Sequence, residues 1–134
     1  MERDIYHGRR KLNGEEHEKT LRAASNYTMG LETLQRYAEA KSLQRKIIPV
    51  ARRVLGESNE LTLKVRWSYA VALCRDPIAT LDDLREAVTT LTEIERTARR
   101  VLGGAHPTTA GIEIALRKAR AALRARETLA QEVD

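Results

Sequence analysis

The sequence predicts an all-α protein, a solenoid of helix-turn-helix units with about two full repeats, a partial helix before them and a capping helix after. Three observations carry that prediction. Turn formers are scarce, with seven Gly and three Pro in 134 residues, and apolar residues recur at helical rather than alternating spacing. The chain also repeats itself: Ala51-Arg52-Arg53-Val54-Leu55-Gly56 returns letter for letter as Ala98-Arg99-Arg100-Val101-Leu102-Gly103, 47 residues on. Gly14-Glu15-Glu16-His17-Glu18-Lys19-Thr20-Leu21 aligns with Gly56-Glu57-Ser58-Asn59-Glu60-Leu61-Thr62-Leu63 at a spacing of 42. A period of this length marks stacked supersecondary units.

Taken in order, residues 1–13 read as the tail of a partial preceding repeat, because Ile5-Tyr6-His7-Gly8-Arg9-Arg10 resembles the end of one more outer helix. The repeat domain spans 14–127, with units at about 14–55, 56–102 and 103–127, the last partial and capping. Residues 128–134 are expected as a disordered tail. Each full unit holds two helices. In the second unit, Leu63, Trp67, Ala70 and Cys74 form one stripe and Tyr69 and Leu73 a neighbouring one, so that first helix is apolar over most of its girth and must be covered on several sides. The second helices, at about 34–55 and 81–102, carry narrower stripes such as Ala87, Leu91, Ile94, Ala98 and Val101, as outer-layer helices do.

Punctuation agrees with these boundaries. Gly56 and Gly103 read as left-handed C-caps after Arg-Arg in the last turn, and Pro107 as the first residue of the next helix. Asp76-Pro77 marks a loop that absorbs the extra length of the second unit, and Thr80-Leu81-Asp82-Asp83 reads as a capping box. Pro49 falls inside an otherwise helical pattern, where it removes one hydrogen bond at a cost of about 3 kcal/mol, so a kink is expected near Ile47 and Ile48.

These residues resemble the long, 42-residue tetratricopeptide repeats of the kinesin light chain type. The likeness rests on Gly14 through Leu21, then Asn26-Tyr27-Thr28 and Leu31, then Tyr37-Ala38-Glu39-Ala40. In the second unit it rests on Leu55-Gly56, Thr62-Leu63, Tyr69-Ala70, Leu73 and Leu84-Arg85-Glu86-Ala87, and in the third on Leu102-Gly103-Gly104-Ala105-His106-Pro107-Thr108-Thr109. Asn59-Glu60 stands where the pattern has His-Pro, and after Thr109 the pattern fades into an Ala/Arg-rich helix suited to closing a stack. Nothing like the heptad region of kinesin light chains is present. The resemblance implies a concave groove lined by the first helices, with Arg22, Ser25, Met29 and Thr33 from the first unit and Lys64, Trp67, Val71 and Arg75 from the second. Trp67 suits either that groove or the core.

Composition narrows the chemistry. Lys and Arg total 24 against 19 Asp and Glu, a net charge of +5, but the signs are interspersed as on solvated helix faces. The one-sided exception is Arg117, Lys118, Arg120, Arg124 and Arg126, where a solvated cap is favoured over an RNA or DNA site because no aromatic residue is interleaved. The single Cys74 sits on an apolar stripe and reads as core rather than nucleophile. His17 and His106 each lie three residues after a Gly, which suits cap chemistry better than metal ligation. Asp82-Asp83 complements a helix dipole, and Asn26-Tyr27-Thr28 is a glycosylation sequon without a signal peptide before it.

The sequence therefore leads to a non-catalytic, cytoplasmic interaction scaffold with no cofactor, no metal and no membrane span. It would capture a peptide or partner helix, of acidic character to suit a basic groove with an apolar floor, and self-association would cover exposed faces. Two alternatives stand beside it. One is a basic helical domain binding RNA or acidic surfaces through the Arg-rich last helix, and the other is the repeat part of a larger kinesin light chain-like protein.

Overall fold

A computed structural model describes residues 18–133. It is all α, with α1 over Glu18–Thr33, α2 over Tyr37–Val54, α3 over Glu60–Arg75, α4 over Leu81–Leu102 and α5 over Pro107–Val133. The expected partial helix at 1–13, and Gly14 and His17, lie outside the described residues.

The caps explain where the helices begin. Asn59 has extended backbone and its Oδ1 accepts the Leu61 N–H at 2.8 Å, while His106 Nδ1 accepts the Thr108 N–H at 3.1 Å. Both follow their glycine by three residues, so Asn59 fills by side-chain amide the N-cap role that His106 fills by imidazole. Thr80 and Asp83 close the expected capping box in both directions. Gly56 and Gly103 have φ of +88° and +89°, and Gly103, with ψ of 156°, lies outside the αL region in a conformation open essentially only to glycine.

Three helical expectations need correction. The second helix of the first unit begins at Tyr37, not Leu34, because Leu34 lies in a turn whose bonds, Arg36 N–H to Leu31 C=O and Gln35 N–H to Glu32 C=O, form a Schellman motif. Val101 is 43% exposed and leaves the packing stripe in the last turn of α4, while Leu84 joins it in the first. Residues 128–133 continue α5 instead of forming a disordered tail, since Leu129-Ala130-Gln131-Glu132 are good helix formers with no Gly or Pro among them. At Pro49 the chain stays helical. Arg45, whose carbonyl loses its partner there, is exposed as Pro49 is, so water can take the missing bond.

Each helix packs on its neighbours in sequence, α1 also meets α3, α3 also meets α5, and α2 and α4 lie apart. Helix α3 thus touches all four others. That accounts for its breadth of burial, from Leu61, Thr62 and Leu63 round to Ala72 and Leu73. One core joins Leu21, Ala24, Ile47, Ala51 and Val65 across α1, α2 and α3, and a second joins Leu63, Leu73, Leu91, Ile94, Ile112 and Leu116 across α3, α4 and α5. Each such aliphatic side chain contributes about 1.5–3 kcal/mol on leaving water.

Buried polar links fix the helices in register. Lys41 Nζ of α2 meets Asp76 Oδ2 at 2.7 Å, with both side chains about nine-tenths covered. Arg66 of α3, 7% exposed, reaches Glu93 of α4 at 2.7 Å. The Tyr69 hydroxyl accepts from Arg45 Nε and donates to Glu86, tying α2, α3 and α4 together.

Candidate functional site

Covered by four neighbours, α3 keeps one open strip. Lys64 and Arg75 are exposed and Trp67 and Val71 half-buried on it, and their spacing of three and four residues places all four on one face. Helix α5 runs beside this strip in the same direction, since Thr108 near its start donates to Glu60 at the start of α3, at 3.0 Å. Between the two helices lies a cavity of about 350 Å³, walled by Trp67, Val71 and Cys74 on one side and Gly111, Ile114 and Ala122 on the other. Arg75 and Lys118 stand on its opposite walls.

Of the eight residues expected in the groove, this cavity brings together Trp67, Val71 and Arg75. Arg22, Met29 and Thr33 are exposed on α1 but do not line it. Ser25 is a correction: at 6% exposure it is buried, because α1 is covered over a wide arc where Ala23, Ala24 and Ser25 are small enough for close neighbours. The two expected cations nearest the N-terminal ends are already paired, Arg22 with Glu18 at 3.1 Å and Lys64 with Glu60 at 3.3 Å. Contacts from Thr108 first and Lys64 second hold the Glu60 carboxyl below its usual range. Among the described residues, Arg75 and Lys118 have no ion-pair partner.

Cys74 packs against the second core, as its stripe implied, and is half-buried where it also lines the cavity; burial pushes its thiol up, away from the thiolate a nucleophile needs. Trp67 meets both expectations, since it packs against the second core and walls the cavity. The contribution of α5 was missed. Its signal was Gly111, a glycine inside a helix, which commonly marks a close approach by another group.

Between α1, α2 and α3, Glu32 accepts from Ser68 Oγ at 2.9 Å and from Gln44 Nε2 at 3.3 Å. Burial dominates there and holds the Glu32 carboxyl above its usual range, against those hydrogen bonds and the charge of Arg75. Gln44 is fully buried and its Oε1 has no hydrogen-bond donor among the described residues.

Across α5 from the cavity, a crevice of about 280 Å³ against α4 is lined by Glu95, Arg99, Glu113, Arg117 and Arg120. Arg99 pairs with both Glu95 and Glu113. Arg117, Lys118, Arg120 and Arg124 are exposed, whereas Arg126 donates to the Ala79 carbonyl at 2.9 Å and pins the loop before α4. Among the described residues no group of three His, Cys, Asp or Glu could hold a metal ion, and no helix is long and apolar enough to cross a membrane. No protein-family model, curated protein or solved structure matches the chain significantly.

Proposed function

We propose that this chain is a non-catalytic protein-interaction scaffold of the cytoplasm. In this reading α1, α3 and α5 are the first helices of stacked tetratricopeptide-like units, and their exposed strips form a concave face that receives a peptide or partner helix. The observation that carries the reading is the open strip of α3. A helix touched by four others still leaves Trp67 and Val71 half-exposed beside a cavity, and an apolar recess of this kind is where interface anchors bind. Cys74, its thiol pushed up by burial, supports a non-catalytic role.

The rival reading, a basic domain that binds nucleic acid through α5, draws on the exposed Arg117, Arg120 and Arg124, which share one face of α5. Capture of partners from lysate by three proteins separates the two: the wild type, a variant with Arg22, Lys64, Arg75 and Lys118 all changed to Glu, and Arg117→Glu/Arg120→Glu. The scaffold reading expects a protein partner that the concave variant loses and the α5 variant keeps. Loss of nucleic acid from the α5 variant alone would replace the scaffold with the rival.

A further inference from the structure

The α3–α5 cavity has features that specify its occupant more closely. At about 350 Å³, it matches roughly twelve waters at about 30 Å³ each, which is room for a large side chain and not for a helix. Its walls are apolar, with Trp67, Val71, Ile114, Ala115 and Ala122 contributing, so water inside gains few hydrogen bonds and is readily displaced. The charge at its edges is one-sided. Among the described residues, Arg75 from α3 and Lys118 from α5 flank it from opposite walls without ion-pair partners, whereas Arg22 and Lys64 elsewhere on the expected groove are neutralised by Glu18 and Glu60. The acid that Arg75 feels is Glu32, which is turned inward by Ser68 and Gln44.

We infer that this cavity is the anchor site for one large apolar side chain of an acidic peptide, with carboxylates on both sides of the anchor meeting Arg75 and Lys118. The inference rests on the scaffold reading and narrows it to the α3–α5 end of the concave face. A nucleic acid fits less well, because a phosphate backbone needs a succession of cations. Of the others on α5, Arg117 and Arg120 open on the α4 crevice instead, and Arg126 is bonded to the Ala79 carbonyl.

The test uses two reporters that the chain provides, since Trp67 is its only Trp and Cys74 its only Cys and both line the cavity. The probe is the capped peptide Asp-Glu-Leu-Glu-Asp, titrated against the full chain while Trp67 fluorescence and the rate of Cys74 alkylation by N-ethylmaleimide are followed. Saturable fluorescence change and slowed alkylation are expected. Replacing the central Leu by Ala is expected to weaken binding about tenfold or more, from the apolar area lost. Arg75→Glu/Lys118→Glu is expected to weaken it at least about tenfold, and Lys-Lys-Leu-Lys-Lys to show no binding. Ala122→Phe places a bulky ring in the cavity and is expected to abolish binding; should circular dichroism show that variant unfolded, the exposed charge pair and the peptide series decide. No saturable change at millimolar peptide, equal binding of the Ala peptide, or unaltered affinity in the charge-reversed protein would overturn the inference. If any of these occurred while the concave variant still lost its protein partner, the scaffold would stand and only the anchor site would fall.

Discussion

The indole of Trp67 lies directly against the backbone of Gly111, so that a β-carbon there would come within 2.7 Å of Cζ2. This one contact sets how closely α3 and α5 approach beside the cavity. It also gives the reason for a glycine inside α5, which costs about 1 kcal/mol in helix propensity relative to alanine. The same indole packs on the core and walls the cavity.

Gly111→Ala is therefore expected to destabilise the protein by about 1–3 kcal/mol, because overpacking outweighs the gain in propensity. In a Trp67→Leu background the sign should reverse, with the same substitution stabilising by about 1 kcal/mol. Denaturant unfolding followed by circular dichroism measures both. A stabilising Gly111→Ala in the wild-type chain would contradict the contact.

Gln35 holds φ of +60° at the left-handed position of the turn after α1, where a side chain costs about 1–2 kcal/mol. Gln35→Gly should raise stability by up to about 1 kcal/mol, the gain being reduced by glycine's greater freedom in the unfolded chain. Thermal unfolding checks it, and an unchanged or lower midpoint would count against the turn.

The Lys41–Asp76 pair predicts acid sensitivity. Lys41 first and the Ile78 N–H second hold the Asp76 carboxyl below its usual range, so the folded pKa is depressed relative to the unfolded one. The stability this gives is fully present above the unfolded value and is lost as pH falls through the folded one. Lys41→Met strands the carboxylate, which should cost about 3 kcal/mol at neutral pH and move acid unfolding to higher pH. Equal acid midpoints for variant and wild type would show that the pair is inert.

Glu32 has the opposite sign. Its raised folded pKa means that stability increases as pH falls from above that value toward the unfolded pKa, within the mildly acidic range. Glu32→Gln removes the buried charge while keeping an amide oxygen to accept from Ser68, so about 1 kcal/mol of stabilisation at neutral pH is expected, with that pH dependence gone. Melting curves across mildly acidic to neutral pH test this, and a destabilised variant would refute it.

Much of the fold was legible because it depends on local rules. The six-residue repeat, the positive-φ glycines, Pro107 and the Thr80–Asp83 box fix helix ends through chemistry within a few residues, and α4 begins and ends where its stripe and caps place it. The turn at Gln35 was not legible, since the residue that adopts the left-handed conformation is not a glycine. Long-range links were hidden for a different reason: Lys41–Asp76 spans 35 positions and Arg66–Glu93 spans 27, and no periodicity reports which charges become buried together. At the site, the groove residues that the resemblance implied on α3, Lys64, Trp67, Val71 and Arg75, fall on one strip, whereas Ser25, implied on α1, is buried. What spacing could not supply was the partner wall, because Lys118 and Ile114 acquire their place only when α5 packs beside α3.

The most direct test of the scaffold reading is the alkylation rate of Cys74 in a purified complex of the chain with its captured protein partner, compared with the free chain. Several-fold slowing is predicted, because the partner would cover the α3–α5 cavity that Cys74 lines. An unchanged rate in a complex that is broken by Arg117→Glu/Arg120→Glu would place the binding surface on the far side of α5 and contradict the account.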